Sequence, residues 1–110
     1  MPPVKEQRAY PRVNFDTELW LGQEGVFTRT MARLSDVSLG GAQIRTAEVH
    51  QVGSVLSLRF ALGSDYITCA AIVRYIRLGN GFGVQFLDLS HEDRDKLEAF
   101  LIAGEPERRA

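Results

Sequence analysis

The chain has 110 residues, of which 45% are hydrophobic and 25% are charged, and its formal net charge is -1. This length fits one domain that buries its own core without disulfides or metal ions, which argues against a second domain. The near-zero net charge argues against general affinity for DNA or RNA, so any anion-binding site must be local.

The first twelve residues are predicted to form an extended, flexible N-terminal arm. They contain three of the four prolines together with Arg8 and Arg12, and they show almost no apolar periodicity. Pro11 also disfavours a helix in this segment. The arm therefore ends where the first strand begins.

Alternating apolar residues predict six antiparallel strands in the middle of the chain. They cover residues 13–21, 26–35, 42–45, 56–62, 66–78 and 82–86. A turn at residues 36–41 separates the second strand from the third, and the Asn80-Gly81 pair favours a tight hairpin before the sixth. With no helix between these strands, closure into a small barrel is the economical way to remove the sheet edges.

One helix is predicted near the C terminus. Ser90 suits its N-cap, and an apolar stripe that includes Leu97 and Leu101 gives it a buried face. The predicted domain, barrel plus helix, thus spans residues 13–103. Residues 104–110 have no apolar pattern to pack and are predicted to form a disordered tail.

Cysteine content and hydropathy bear on where the protein works. Cys69 is the only cysteine, which excludes an intramolecular disulfide and favours a reducing cytoplasm. Its apolar setting predicts a small buried thiol rather than a nucleophile. No run approaches the roughly 18 apolar residues of a membrane span, and the N terminus lacks the apolar core of a signal peptide. We expect a cytoplasmic protein without membrane insertion.

Several motifs that suggest chemistry have simpler interpretations. The chain has no nucleophile elbow, Walker loop or catalytic acid pair, which argues against an enzyme. His50 and His91 stand apart without further ligands, so no metal site is expected. The glycine-rich segment 79–83 precedes a strand rather than a helix, which favours a hairpin over a phosphate loop. Trp20 is expected to pack under the helix rather than to stack on a base.

Two polar segments carry the functional signal. Arg8 and Arg12 offer guanidinium groups that bind phosphate or a guanine edge in a bidentate manner. Asp36, Ser38 and Gly41 offer a carboxylate that accepts from N–H donors, a hydroxyl and flexible backbone. A guanine nucleotide suits this set. An ordinary reverse turn also explains the second segment, so both interpretations stay open at this point.

The spacing of the two arginines is not informative by itself, because Arg29 and Arg33 repeat it. Residues four apart in a strand face the same side, so this second pair is predicted to form a solvated stripe. Arg8 and Arg12 instead precede the barrel on an arm that is able to fold over a ligand on the barrel wall.

Together the two segments resemble the bipartite signature of PilZ domains: RxxxR at residues 8–12 and DxSxxG at residues 36–41. Residues 83–90 also resemble the end of the last strand in that family, and the resemblance covers residues 7–102. It implies a mainly β fold, a six-stranded antiparallel split β-barrel with a flexible N-terminal arm and a C-terminal α-helix. It also implies binding of the bacterial second messenger cyclic di-GMP, with no cofactor.

The resemblance implies a role for each signature residue. Arg8 and Arg12 would clamp phosphate and guanine edges, and their planar groups would also stack on a base. Asp36 would accept from a guanine Watson–Crick edge. Ser38 would bond to base or phosphate, and Gly41 would let backbone approach the ligand closely.

Four further residues are auxiliary candidates on the same resemblance. Gly40 would assist the turn. Gln7 occupies the position, just before the first arginine, that influences whether one ligand or an intercalated pair is held. The fifth predicted strand would add a contact from Arg74 or Tyr75.

The implied mechanism is a receptor that performs no chemistry on its ligand. Binding would order the arm and so change the affinity for a downstream protein that the sequence does not identify. The alternative is a PilZ-like protein-interaction module that does not bind nucleotide. A third interpretation, a barrel for single-stranded nucleic acid, is disfavoured by the net charge.

Overall fold

The computed structural model describes residues 13–23, 26–28 and 32–104. Seven strands precede one helix in this part of the chain. The elements are β1 (Val13–Gln23), β2 (Val26–Thr28), β3 (Arg33–Val37), β4 (Gly41–Arg45), β5 (Val55–Leu62), β6 (Asp65–Arg77), β7 (Gly81–Phe86) and α1 (His91–Gly104).

Six of the strands form a closed antiparallel barrel. β1 pairs with β3, and the sheet continues through β4, β7, β6 and β5. Pairing of β5 with residues 19–22 of β1 closes the ring. The predicted fold, a mainly β six-stranded antiparallel barrel followed by a C-terminal helix, is confirmed.

The predicted second strand is in fact two strands, β2 and β3, which both pair with β1. Leu21 pairs with Thr28, and Glu18 pairs with Arg33. The register of β1 with β3 is therefore shifted by two residues from its register with β2, and a shift of this kind interrupts the ladder. β2 is the additional strand outside the six-stranded barrel.

Alternation along the strands fills the barrel with apolar side chains. In β5, for example, Leu56, Leu58 and Phe60 are at most 1% exposed, while the residues between them face outward. Full burial of a side chain of this size stabilises the fold by about 1.5–3 kcal/mol. The helix adds Leu97 and Leu101 to the same core.

The start of the helix confirms Ser90 as its N-cap. The Asp93 backbone N–H donates to Ser90 Oγ at 3.0 Å, and the Arg94 N–H donates to the Ser90 carbonyl oxygen at 2.8 Å. These bonds satisfy donors that the first helical turn would otherwise leave without partners. The cap thus fixes the point at which the chain leaves the barrel and turns to cover its core.

Cys69 is a core residue, as its sequence context predicts. It lies on β6 with 6% exposure, in line with buried Ile67 and Ala71. Burial raises the pKa of its thiol to about 12, with smaller contributions from the carboxylates of Asp88 and Asp93. The group is therefore protonated near neutral pH and is not a nucleophile.

Trp20 does not take the predicted position under the helix. It lies between the buried residues Leu19 and Leu21, and strand alternation turns it to the outside of the barrel. Its ring centroid lies 6.0 Å from that of Tyr66, whose ring also carries the Arg59 guanidinium at 4.6 Å. The helix instead packs on the core through its own apolar stripe.

Candidate functional site

Pairing between β1 and β3 places the first residues of β1 opposite the end of β3 that carries Asp36. Val13 pairs with Val37, and Asn14 pairs with Asp36. Val13 directly follows Arg12 in the sequence. The arginine-bearing segment therefore joins the barrel opposite the strand that carries Asp36.

The predicted arm itself lies outside the described residues. This applies to Gln7, Arg8 and Arg12, and also to residues 105–110 of the predicted tail, whereas Gly104, its first residue, ends α1. Of the second arginine pair, Arg33 is exposed on β3, whereas Arg29 is not described.

Asp36 lies within β3 rather than in the turn where the sequence pattern placed it. β3 continues to pair with β4 through Asp36 with Gln43 and Val37 with Ala42. Only residues 38–40 lie between β3 and β4 to reverse the chain. The half-buried Asp36 side chain is consequently positioned by a strand, and strands hold functional groups more rigidly than loops do.

Ser38 holds the turn together with its hydroxyl group. The backbone N–H groups of Gly40 and Gly41 donate to Ser38 Oγ at 3.2 and 3.3 Å. The Ser38 backbone N–H donates to the Gly41 carbonyl oxygen at 2.8 Å. Ser38 is only 6% exposed, so the structure explains this serine as the organiser of the turn.

The two glycines attach the turn to β7. The Phe86 N–H donates to the Gly40 carbonyl oxygen at 2.9 Å. A Cβ atom on Gly41 would stand 2.1 Å from the Val84 carbonyl oxygen, so a larger residue does not fit without a backbone shift. The close approach that requires glycine at position 41 is thus to the backbone of β7.

A row of four residues runs from Asp36 across the outer face of the barrel. Asp36 pairs with Gln43, Gln43 pairs with Gly83, and Gly83 pairs with Tyr75. Residues directly opposite each other in neighbouring strands point to the same face of a sheet. The row therefore places the Asp36 carboxylate, the Gln43 carboxamide and the Tyr75 phenol on one surface.

The Tyr75 side chain extends along this row in the direction of Asp36. Its hydroxyl donates to Gln43 Oε1 at 3.0 Å. Its ring covers Gly83, where an added Cβ atom would stand 2.2 Å from the ring Cζ atom. Among the auxiliary candidates within the described residues, Tyr75 is thus the one that shares a row with Asp36.

Arg74, the other candidate on β6, occupies an irregular position. Val73 pairs with Val84 and Tyr75 with Gly83, so the register shifts at Arg74. Arg74 Nη1 donates to Gln85 Oε1 at 3.0 Å. Gln85 lies on β7 and pairs with Gly41. The Arg74 side chain therefore contacts β7 at the position next to the turn.

Gln43 is the residue of this row that sequence reasoning missed. It is 4% exposed and lies between the buried residues Ala42 and Ile44. A lone amide side chain within an apolar strand is the signal that marks it, because a buried polar group needs a hydrogen-bond partner.

Other features of the described chain do not add to this site. Across residues 13–23, 26–28 and 32–104, no three His, Cys, Asp or Glu side chains are grouped to hold a metal ion. In the same ranges, no helix combines the length and apolarity that a membrane crossing demands. A pocket of about 250 Å³ between residues 46–50 and 76–82 contains none of the predicted site residues.

Solved structures share this architecture. Bacillus subtilis inhibitor of motility, MotI/DgrA, aligns with 100% of this chain at a TM-score of 0.80 and 21% identity. Escherichia coli YcgR in complex with c-di-GMP aligns with 94% at a TM-score of 0.74 and 23% identity. An uncharacterized Legionella protein aligns with 92% of this chain and 100% of its own length, at a TM-score of 0.57 and 17% identity. These likenesses show the fold.

The chain spans 59% of the length of MotI/DgrA and 48% of the length of YcgR. No curated protein matches the sequence. The model of the PilZ domain matches residues 6–103, which include both polar segments, the whole barrel and all but the last residue of the helix. With nearly the entire chain covered by that match, the protein belongs to the PilZ domain family.

Proposed function

We propose that this protein is a cytoplasmic receptor for cyclic di-GMP that performs no chemistry on its ligand. The observation that carries the proposal is the pairing of Val13 with Val37. It joins the arginine-bearing segment to the barrel beside Asp36 and the Ser38 turn. Membership of the PilZ family and the likeness to YcgR, whose structure contains c-di-GMP, support the same ligand.

In this proposal Arg8 and Arg12 bind the two phosphates and the guanine edges, because charge-assisted and bidentate bonds are the strongest that side chains offer to such a ligand. Asp36 accepts hydrogen bonds from the Watson–Crick edge of a guanine. Ser38 and Gly41, with Gly40, bring the turn alongside the ligand, and Gln7 sets how many ligands are held.

Signalling in this proposal follows from closure of residues 1–12 over the bound ligand. The ordered segment and the covered barrel face together form a surface that a downstream protein distinguishes from the free state. MotI/DgrA, which is named as an inhibitor of motility, supports a protein as the target. The net charge of -1 supports neither DNA nor RNA in that role.

The direct test is a thermal unfolding experiment with and without cyclic di-GMP. A ligand that binds only the native state at 100 times its Kd adds about 2.7 kcal/mol, so Tm should rise by on the order of 10 °C. GMP at the same concentration serves as the control, because it presents one base and one phosphate.

One observation favours a second candidate function, a PilZ-like protein-interaction module that does not bind nucleotide. Ser38 and Gly41 are both used within the turn and against β7, so their presence does not by itself require a ligand. An unchanged Tm in saturating cyclic di-GMP would support this module and contradict the receptor.

A further inference from the structure

The Tyr75–Gln43 pair has chemistry that the signature residues do not account for. Gln43 is a polar side chain at 4% exposure on the outer face of the barrel, and it lies one strand from Asp36. Burial of an amide is unfavourable unless its hydrogen bonds are made. Its observed partner on β6 is Tyr75, 32 residues further along the chain.

The hydrogen bond has a direction that matters for recognition. Gln43 Nε2 lies 3.5 Å from the Ile44 carbonyl oxygen, which leaves Gln43 Oε1 to accept from the Tyr75 hydroxyl at 3.0 Å. Because the Tyr75 hydroxyl donates its hydrogen to Gln43, its oxygen can only accept a hydrogen bond from a further partner. Tyr75 is 39% exposed, so that partner can come from outside the protein.

The ring of Tyr75 is also held in place by its neighbours. It fills the space over Gly83, where no side chain competes with it, and strand pairing fixes both residues opposite each other. An aromatic ring placed over a glycine in the neighbouring strand is a recognised means of stabilising a sheet. The oxygen of Tyr75 therefore stands in a fixed position in the row that begins at Asp36.

We propose that Gln43 is a positioning residue that holds Tyr75 as a second hydrogen-bond acceptor, in the row that begins at Asp36, and so selects guanine over adenine. The inference rests on the proposed function. The Watson–Crick edge of guanine carries two donor groups, N1–H and the N2 amine, whereas that of adenine carries only its N6 amine. A row with two acceptors suits the guanine edge.

The test measures Kd for cyclic di-GMP and for cyclic di-AMP by calorimetry in the full chain. Tyr75→Phe keeps the ring and removes the acceptor, and Gln43→Leu removes the group that orients it. Each variant should weaken cyclic di-GMP binding by about 3- to 10-fold, the usual effect of one hydrogen bond. Cyclic di-AMP binding should change less, so the preference for guanine should fall.

The double variant distinguishes positioning from independent contact. If Gln43 acts through Tyr75, the Tyr75→Phe/Gln43→Leu chain should lose no more affinity than either single variant. Tyr66→Phe is the matched control, because Tyr66 contacts Trp20 and Arg59 rather than this row. It should bind both ligands as the wild type does. Should Gln43→Leu fail to fold, Tyr75→Phe decides alone, since it removes a single oxygen atom from a residue that is 39% exposed.

The results separate this inference from the proposal on which it rests. If the wild type does not bind cyclic di-GMP, the receptor function is wrong and the inference falls with it. If the wild type binds, Arg12→Ala abolishes binding and Tyr75→Phe leaves affinity and guanine preference unchanged, the inference alone is overturned. If the losses of affinity in the two single variants add together in the double variant, the positioning role of Gln43 is also overturned.

Discussion

A Cβ atom on Gly41 would stand 2.1 Å from the carbonyl oxygen of Val84, so the turn and β7 meet backbone to backbone. This contact places the glycine of the DxSxxG segment at a junction inside the barrel wall. Its role can be tested by stability alone, without any ligand.

Gly41→Ala should lower the free energy of unfolding by roughly 1–3 kcal/mol, because the added methyl group forces the turn away from β7. Urea denaturation measures the change. Gly63→Asn is the control, since Gly63 has open space around it and a φ of +66°, which asparagine tolerates. Equal stability of Gly41→Ala and the wild type would show that the turn moves at no cost.

Arg8→Ala and Arg12→Ala should each abolish most binding of cyclic di-GMP and leave Tm of the free protein within about 1–2 °C of the wild-type value. Each change removes a charge-assisted contact to a phosphate or a base edge. Calorimetry measures the affinity. Arg59→Ala is the matched control, because Arg59 is an exposed arginine on β5, a strand that carries none of the proposed site residues. Retained binding in both arginine variants would contradict the clamp.

Leu97→Ala should lower the free energy of unfolding by about 2–5 kcal/mol, because it opens a cavity between helix and barrel. Leu97 is fully buried, whereas Ile102 on the same helix is 61% exposed. Ile102→Ala should therefore change stability by less than about 0.5 kcal/mol. Chemical denaturation of the two variants in parallel makes the comparison, and similar losses would mean that the helix does not pack as described.

The raised pKa of Cys69 predicts a loss of stability in alkali. The folded thiol has a pKa of about 12, whereas an unfolded cysteine ionises near its ordinary value of about 8.5. The stabilisation is thus complete below about pH 8.5 and declines as the pH rises toward 12. Denaturation of the wild type and Cys69→Ala across this interval should give a steeper decline for the wild type. Parallel curves would contradict the prediction.

Much of the barrel could be predicted because period-two alternation specifies each strand and its buried face. β5 is the clearest case, since its apolar residues alternate from Leu56 to Leu62. The separation into β2 and β3 could not be predicted, because it accompanies a shift in register between their pairings with β1. Register is a property of two strands, and one strand's pattern does not contain it.

The candidate site could also be predicted only in part from the sequence. The sequence pattern proposed Asp36, Ser38 and Gly41 as candidate residues, but it placed the aspartate in the turn and gave the serine and glycine no partners within the fold. The role of Gln43 depends on its hydrogen bond to Tyr75 on β6, and β7 lies between the strands of these two residues. Composition and local spacing do not encode such a contact.

The closure of the barrel through β1 has a consequence for engineering. β1 pairs with β3 near its start and with β5 further along, so the ring depends on a strand that begins at Val13. Removing that strand would convert the ring into an open sheet with two unpaired edges, which are templates for association with other chains. Fusions that shorten the domain should therefore preserve β1, and the exposed hairpin tip at residues 78–80 is the better place to cut or insert.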